Sequence, residues 1–148
     1  MKNISKNITF EKWVDYKGKE FFKIQNTPNE EQIANGELVA NNIYEVLIDQ
    51  FGNEIDIEVG FLNSELNKKI FSGLNFENGD ALKISSSKNS ELFNYIKDNL
   101  SFDTLIWLFG DKNNPQNIYV SYNSENKKQV LRTKYNKEIK KIEYIDFE

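Results

Sequence analysis

The sequence predicts an α+β fold: a single domain with a mainly antiparallel sheet, two or three helices in the first two thirds and a strand meander at the C-terminal end. Three observations predict it. Helical spacing with cap residues occurs only before residue 101. Strict alternation of apolar and acidic residues marks "EIDIEVG" as a half-buried strand. From residue 103 onward the chain reads as β-branched and aromatic runs separated by Gly, Asn, Asp and Pro. With no repeat, linker or composition shift, 148 residues make one globular unit over 1–148, long enough to bury a real core.

Taken in order, residues 8–25, "ITFEKWVDYKGKEFFKIQ", read as two strands turning near Lys17-Gly18, with a short helix capped by Thr9 as the alternative. Thr27, Pro28 and Glu30 then form the signature of a capping box with proline in the first turn. Ile33, Ala40, Ile43, Leu47 and Phe51 follow at helical spacing, and Gly52 stands at the C-terminal cap. Asn35-Gly36 predicts a kink or a delayed start. Ile55, Ile57 and Val59 should share one face of the next strand, and Glu54, Asp56 and Glu58 the other. A short helix is expected over 64–73, capped by Ser64 and closed by Gly73. Asn78-Gly79 signals a hairpin. "SSKNSELFNYIKDNL" reads as an amphipathic helix burying Leu92, Phe93, Ile96 and Leu100. Strands follow at 103–109, 117–122, 128–135 and 139–147, with turns at 110–116 and 123–127.

The residue inventory narrows the chemistry. No Cys excludes disulfides, thiolate nucleophiles and Cys-held zinc, and no His removes the commonest general base and metal ligand. No catalytic role is assigned to any residue, and no cofactor or metal is expected. In "LIWLFGDKNNPQNIYVSY" a calcium loop starting at Asp111 would match with Asn113 at its third position. It fails, because Gln116 stands where Gly is required and Tyr122 where a bidentate Glu belongs. A core hairpin explains the stretch better. Ser85/Lys88 and Ser124/Lys127 have the spacing of a nucleophile and its base but lack the partner motifs of that enzyme class. Glu77 and Asp80 read as turn formers. "MKNISKNITF" is no secretion signal and no apolar run spans a bilayer, so a cytoplasmic protein with no membrane partner is expected. Abundant Asn, Lys and Ile beside a single Arg suggest a low-GC bacterial or phage gene.

Charge is segregated along the chain although the net is only -4. Between Ile24 and Asn67 there is no Lys or Arg, while Glu30, Glu31, Glu37, Glu45, Asp49, Glu54, Asp56, Glu58 and Glu65 all fall there. Lys127, Lys128, Arg132, Lys134, Lys137, Lys140 and Lys141 crowd one late segment with only Glu138 among them. Glu37, Asn41, Glu45 and Asp49 recur at four-residue spacing, which on a regular helix is one ridge. Glu45 over Asp49 is a like-charge pair costing roughly 0.2–0.5 kcal/mol. Three expectations compete: the two segments meet and neutralise each other, the acids simply sit in water, or they form a docking face for a basic protein.

In size, acidity, absent catalytic residues and the uncompensated "GELVANNIYEVLIDQFGNEIDIE", the chain resembles the immunity proteins of bacterial toxin systems, including contact-dependent inhibition. That resemblance implies a small binding protein that covers the active site or substrate groove of a basic toxin, typically a nuclease. Glu45, Asp49, Glu54, Asp56 and Glu58 are the expected contacts. A phage inhibitor of a host defence protein would share this chemistry. The alternative is a ligand-binding domain or small hydrolase with carboxylates and Tyr in an α+β pocket, lined by residues such as Trp107 and Tyr119. Nucleic acid is disfavoured as a partner by overall acidity, although 127–141 with Tyr135 and Tyr144 is the segment that would bind it.

Overall fold

Runs of alternating and fully apolar residues assemble into one six-stranded sheet in the order β1-β2-β4-β3-β5-β6. The strands are β1 (Asp56–Val59), β2 (Ala81–Ser85), β3 (Thr104–Leu108), β4 (Asn117–Ser121), β5 (Gln129–Asn136) and β6 (Lys141–Asp146). The structure, a computed structural model, describes residues 2–148. Every neighbouring pair is antiparallel except β3 and β5, which run parallel. The fold is therefore the expected α+β type with a mainly antiparallel sheet. Its C-terminal strands make two hairpins, β3–β4 and β5–β6, rather than one unbroken meander. β4 already has β2 and β3 on its two edges, so the chain crosses to the free edge of β3.

β3 is the central strand that "LIWLF" predicts. Leu105 and Trp107 enter the core on one face, Ile106 and Leu108 the core on the other. Phe109 and Gly110 then take left-handed φ of 55° and 72° and carry the chain off the sheet. A Cβ on Gly110 would overlap the Asn114 carbonyl, so this turn needs glycine. Asp111 is a turn former: its Oδ1 accepts the N–H groups of Asn113 (2.8 Å) and Asn114 (3.1 Å), and its carbonyl accepts Trp107 Nε1–H at 3.0 Å.

The helices are shorter and more numerous than expected. Residues 8–25 hold α1 (Phe10–Val14) and α2 (Lys19–Phe22), not two strands. Thr9 Oγ1 caps α1 by accepting Lys12 N–H at 3.1 Å, and φ of 92° at Gly18 and 55° at Lys23 rules out a β-ladder there. α1 exists to place Trp13, fully buried, against Phe61 at 5.3 Å between ring centres. α3 (Glu30–Val39), a π-turn (Ala40–Tyr44) and α4 (Glu45–Phe51) run on continuously. The capping box sits two residues later than predicted, on Asn29 and Gln32, with both reciprocal bonds at 2.8 Å. Asn35-Gly36 does not delay this helix, which starts at Glu30. Gly36 is there because any Cβ would overlap the Trp13 ring. Gly52 closes α4 as expected, its N–H donating to Ile48 O at 2.8 Å.

α5 (Ser64–Ile70) is capped by Asn63 rather than Ser64 and ends before Phe71. α6 (Asn89–Asn99) buries Leu92, Phe93 and Ile96, with Leu100 half-buried at its end. Asn78-Gly79 makes a turn but no hairpin, since β2 pairs with β1 and β4 instead. α1, the α3–α4 rod and α6 cover one face of the sheet, while α5 and the segment after it cover the other. β1 departs from simple alternation. A bulge between Ile57 and Val59 leaves Ile55 and Ile57 in the first core and turns Val59 into the second.

Candidate functional site

The five acids predicted to face a partner come from α4 and the adjoining sheet edge, and they have different environments. Glu45 is half-buried and already occupied. Its carboxylate accepts Ser5 Oγ–H at 2.6 Å, Asn7 N–H at 2.7 Å and the Asn7 side-chain amide at 2.6 Å. These bonds hold the turn whose Ile4 and Ile8 enter the core. The π-turn also inserts one extra residue into the helical winding, so Glu37 and Asn41 do not lead straight on to Glu45 and Asp49 as a ridge. Glu58 is half-buried too, accepting Ser85 Oγ–H at 3.1 Å and lying 3.7 Å from Lys17 Nζ.

Asp49, Glu54 and Asp56 are exposed, and among the described residues no Lys or Arg forms an ion pair with them. Lys88 shares a shallow groove of about 230 Å³ with Glu54 without pairing to it. The negative potential of this corner registers on Tyr44, whose hydroxyl donates to Ile55 O at 2.6 Å. Its pKa is pushed up first by burial and then by the charges of Glu45 and Asp56.

Replacing Glu45 by Ala should cost about 1.5–3 kcal/mol of stability, because three donors lose a charged acceptor. It should also speed amide exchange over residues 4–8. A purely docking role for Glu45 would leave both quantities unchanged.

The basic segment lies on the far side of the sheet. β5 and β6, which carry most of it, lie four and five inter-strand steps of about 4.8 Å from β1, roughly 19–24 Å away. That exceeds the screening length of about 10 Å at ordinary ionic strength. No ion pair among the described residues joins the acidic stretch to 127–141. Lys127 lies 3.9 Å from Glu125, while Glu37 has Lys2 and Glu58 has Lys17. The two charged segments do not neutralise each other.

The pocket alternative finds a different arrangement from the one it requires. Trp107 and Tyr119 point to opposite faces of the sheet, into separate cores. Tyr119 donates its hydroxyl to Asn75 O at 2.8 Å and packs edge-on against Phe76. Trp107 is wedged between Phe93 and Phe147. Ser85 Oγ turns to Glu58, not to Lys88. Among the described residues no group of three or more Asp or Glu is placed to hold a metal ion, and no helix is long and apolar enough to cross a membrane.

One carboxylate is perturbed. Burial raises the pKa of Asp80 above 3.8, and the nearby Asp103 charge adds to this, while the hydrogen bonds from its own backbone and Asn123 oppose it. A carboxyl that holds its proton more tightly when folded favours the fold most below its unfolded pKa. That contribution is lost as pH rises from about 4 through the raised value. Asp80→Asn should therefore gain stability relative to the natural chain as pH climbs from 3 to 7, read from paired melting curves. A difference independent of pH would contradict this.

The β5–β6 hairpin and the start of the loop after β3 expose apolar side chains that the sequence analysis did not assign to a site. Phe109, Tyr135, Ile139 and Ile142 are exposed and gather there. The signal available was Tyr135, Ile139 and Ile142 interleaved with the lysines of 134–141.

Comparison with known proteins finds no family model, no curated protein and no solved structure that this chain matches.

Proposed function

We propose that this protein is a binding protein that neutralises a basic partner through its acidic sheet edge, in the manner of an immunity protein covering a nuclease-type toxin. The observation that carries the reading is the exposure of Asp49, Glu54 and Asp56, which form no ion pair among the described residues, with Asp56 on the β1 edge a sheet width from the cations of β5 and β6. Asp49 also stands in the last turn of α4, where a negative charge opposes the helix dipole, so the fold tolerates a small cost there. Charges arranged this way speed encounter with a positive surface and reject acidic ones. A nuclease groove is such a surface, since it must bind phosphates. In this scheme Asp49, Glu54 and Asp56 make the contacts, Glu58 lies at their margin, and Glu45 holds the 4–8 turn beside them.

The test is protection in cells. The product of the adjacent gene is expressed alone, with the natural chain, and with a variant carrying Asp49→Lys, Glu54→Lys and Asp56→Lys. The natural chain should restore growth and the folded variant should fail. Equal protection by both would remove the acidic edge from the mechanism, and no toxicity from the neighbour would remove the toxin as the partner.

A further inference from the structure

The lane that β3 leaves empty is open along β5. β3 ends at Leu108, whereas β5 runs on to Asn136, and past Arg132 it pairs with β6 alone. Residues 133–136 and 141–144 therefore form a two-stranded arm beyond the body of the sheet. Two bonds fix which way the β5 backbone points. Phe147 N–H donates to Val130 O on the β6 side, and Gln129 N–H donates to Asp103 O on the β3 side. Alternation along an antiparallel pair then turns the backbone groups of Thr133 and Tyr135 toward the β3 side. There, Phe109 N–H bonds Thr133 Oγ1 at 2.7 Å instead of continuing the ladder to the Thr133 carbonyl. The Thr133 C=O and both backbone groups of Tyr135 are left facing a vacant strand position.

That position is a groove of about 670 Å³ whose lining includes Trp107, Phe109, Lys112, Arg132, Thr133 and Tyr135. Phe109 is 44% exposed, and on the arm Tyr135 is 53%, Ile139 55% and Ile142 40% exposed. Such a cluster on an uncovered edge is the kind of surface that folds ordinarily blunt. Lys112 and Arg132 line the groove, and Lys134, Lys137, Lys140 and Lys141 stand on the arm around it. The acids of the same loop and strands are Asp111, Glu138, Glu143, Asp146 and Glu148, and the Asp111 carboxylate is occupied by the Asn113 and Asn114 amides.

We propose that this lane accepts an extended, acidic segment of a partner protein as an added strand on β5. The unmet groups are a donor and acceptors at strand spacing, which a peptide backbone satisfies together. Single-stranded DNA would answer the cations and aromatics but has no backbone donor for the two carbonyls, and RNA offers only 2′-hydroxyls that are not set at strand spacing. The surface is independent of the acidic edge, so either can fail without the other.

The probe is a short synthetic peptide of alternating Glu and Val, added to the full chain while amide exchange is followed by NMR. Exchange at Tyr135 should slow by roughly tenfold or more at saturation, and a Lys–Val peptide should have no effect. Tyr135→Pro should abolish binding without unfolding the arm, because this N–H makes no bond to β6. The double variant Lys112→Glu/Lys134→Glu, which keeps the backbone edge, should weaken the Glu–Val peptide. Protection by neither peptide, or equal protection by both, overturns the proposal. Binding of oligothymidylate at the same residues in place of the Glu–Val peptide overturns it in favour of a single-stranded nucleic-acid site.

Discussion

Trp13→Ala is expected to destabilise the fold by about 3–5 kcal/mol, a large part of the stability of a domain this size. Trp13 is fully buried, stacks on Phe61, and has its ring pressed against the backbone at Gly36 and Gly60. The carbonyl of the same residue accepts Phe61 N–H at 2.8 Å. It thus joins α1, α3 and the segment after β1, and truncation leaves a cavity that three backbone elements cannot collapse to fill. Trp13→Phe should cost much less. The indole N–H is buried with no hydrogen-bond partner among the described residues, so losing it offsets part of the lost contact. Urea denaturation measures both as shifts of the midpoint at constant slope. A loss under about 1 kcal/mol for Trp13→Ala would mean that α1 is not held as described.

The second large effect concerns association. Reversing Asp49, Glu54 and Asp56 to Lys exchanges three negative charges for positive ones between the last turn of α4 and the start of β1. Binding to a basic partner should slow by about 10–10³-fold at low salt, and the slowing should shrink as salt rises. Stability should change little, because none of the three forms an ion pair among the described residues. This separates the three from Glu45, whose replacement acts on the fold through Ser5 and Asn7.

Much of the sheet was legible in the sequence because its signals are local. Leu105 to Leu108 and Ile118 to Val120 are apolar on both faces, and the Gly, Asn and Pro between them fix the turn. The helical spacing of Ile43, Leu47 and Phe51 was equally plain. Residues 8–25 misled because Ile8, Phe10, Val14 and Tyr16 fit alternation as well as Phe10, Trp13 and Val14 fit a helix turn. Only the long-range seat of Trp13 against Phe61 decides between them. The β1 bulge was invisible for the same reason, since it exists only in the register with Lys83 and Ile84.

The candidate site divides in the same way. Its charges could be read directly, but their roles could not. Glu45 is claimed by residues about 40 positions earlier. Whether the acids of 24–67 meet the cations of 127–141 depends on strand order. The crossover of β5 to the free edge of β3 sends the cations outward, away from β1.

The most direct measurement is the association rate of the natural partner with three forms of this protein across a salt series. These are the natural chain, the Asp49/Glu54/Asp56→Lys variant, and a control with Lys134, Lys137 and Lys140 changed to Glu at the opposite edge. A steep fall in rate is expected for the first variant at low salt, with little change, or a modest rise, for the control. Equal effects from the two edges, or a loss confined to the control, would contradict an acidic docking edge.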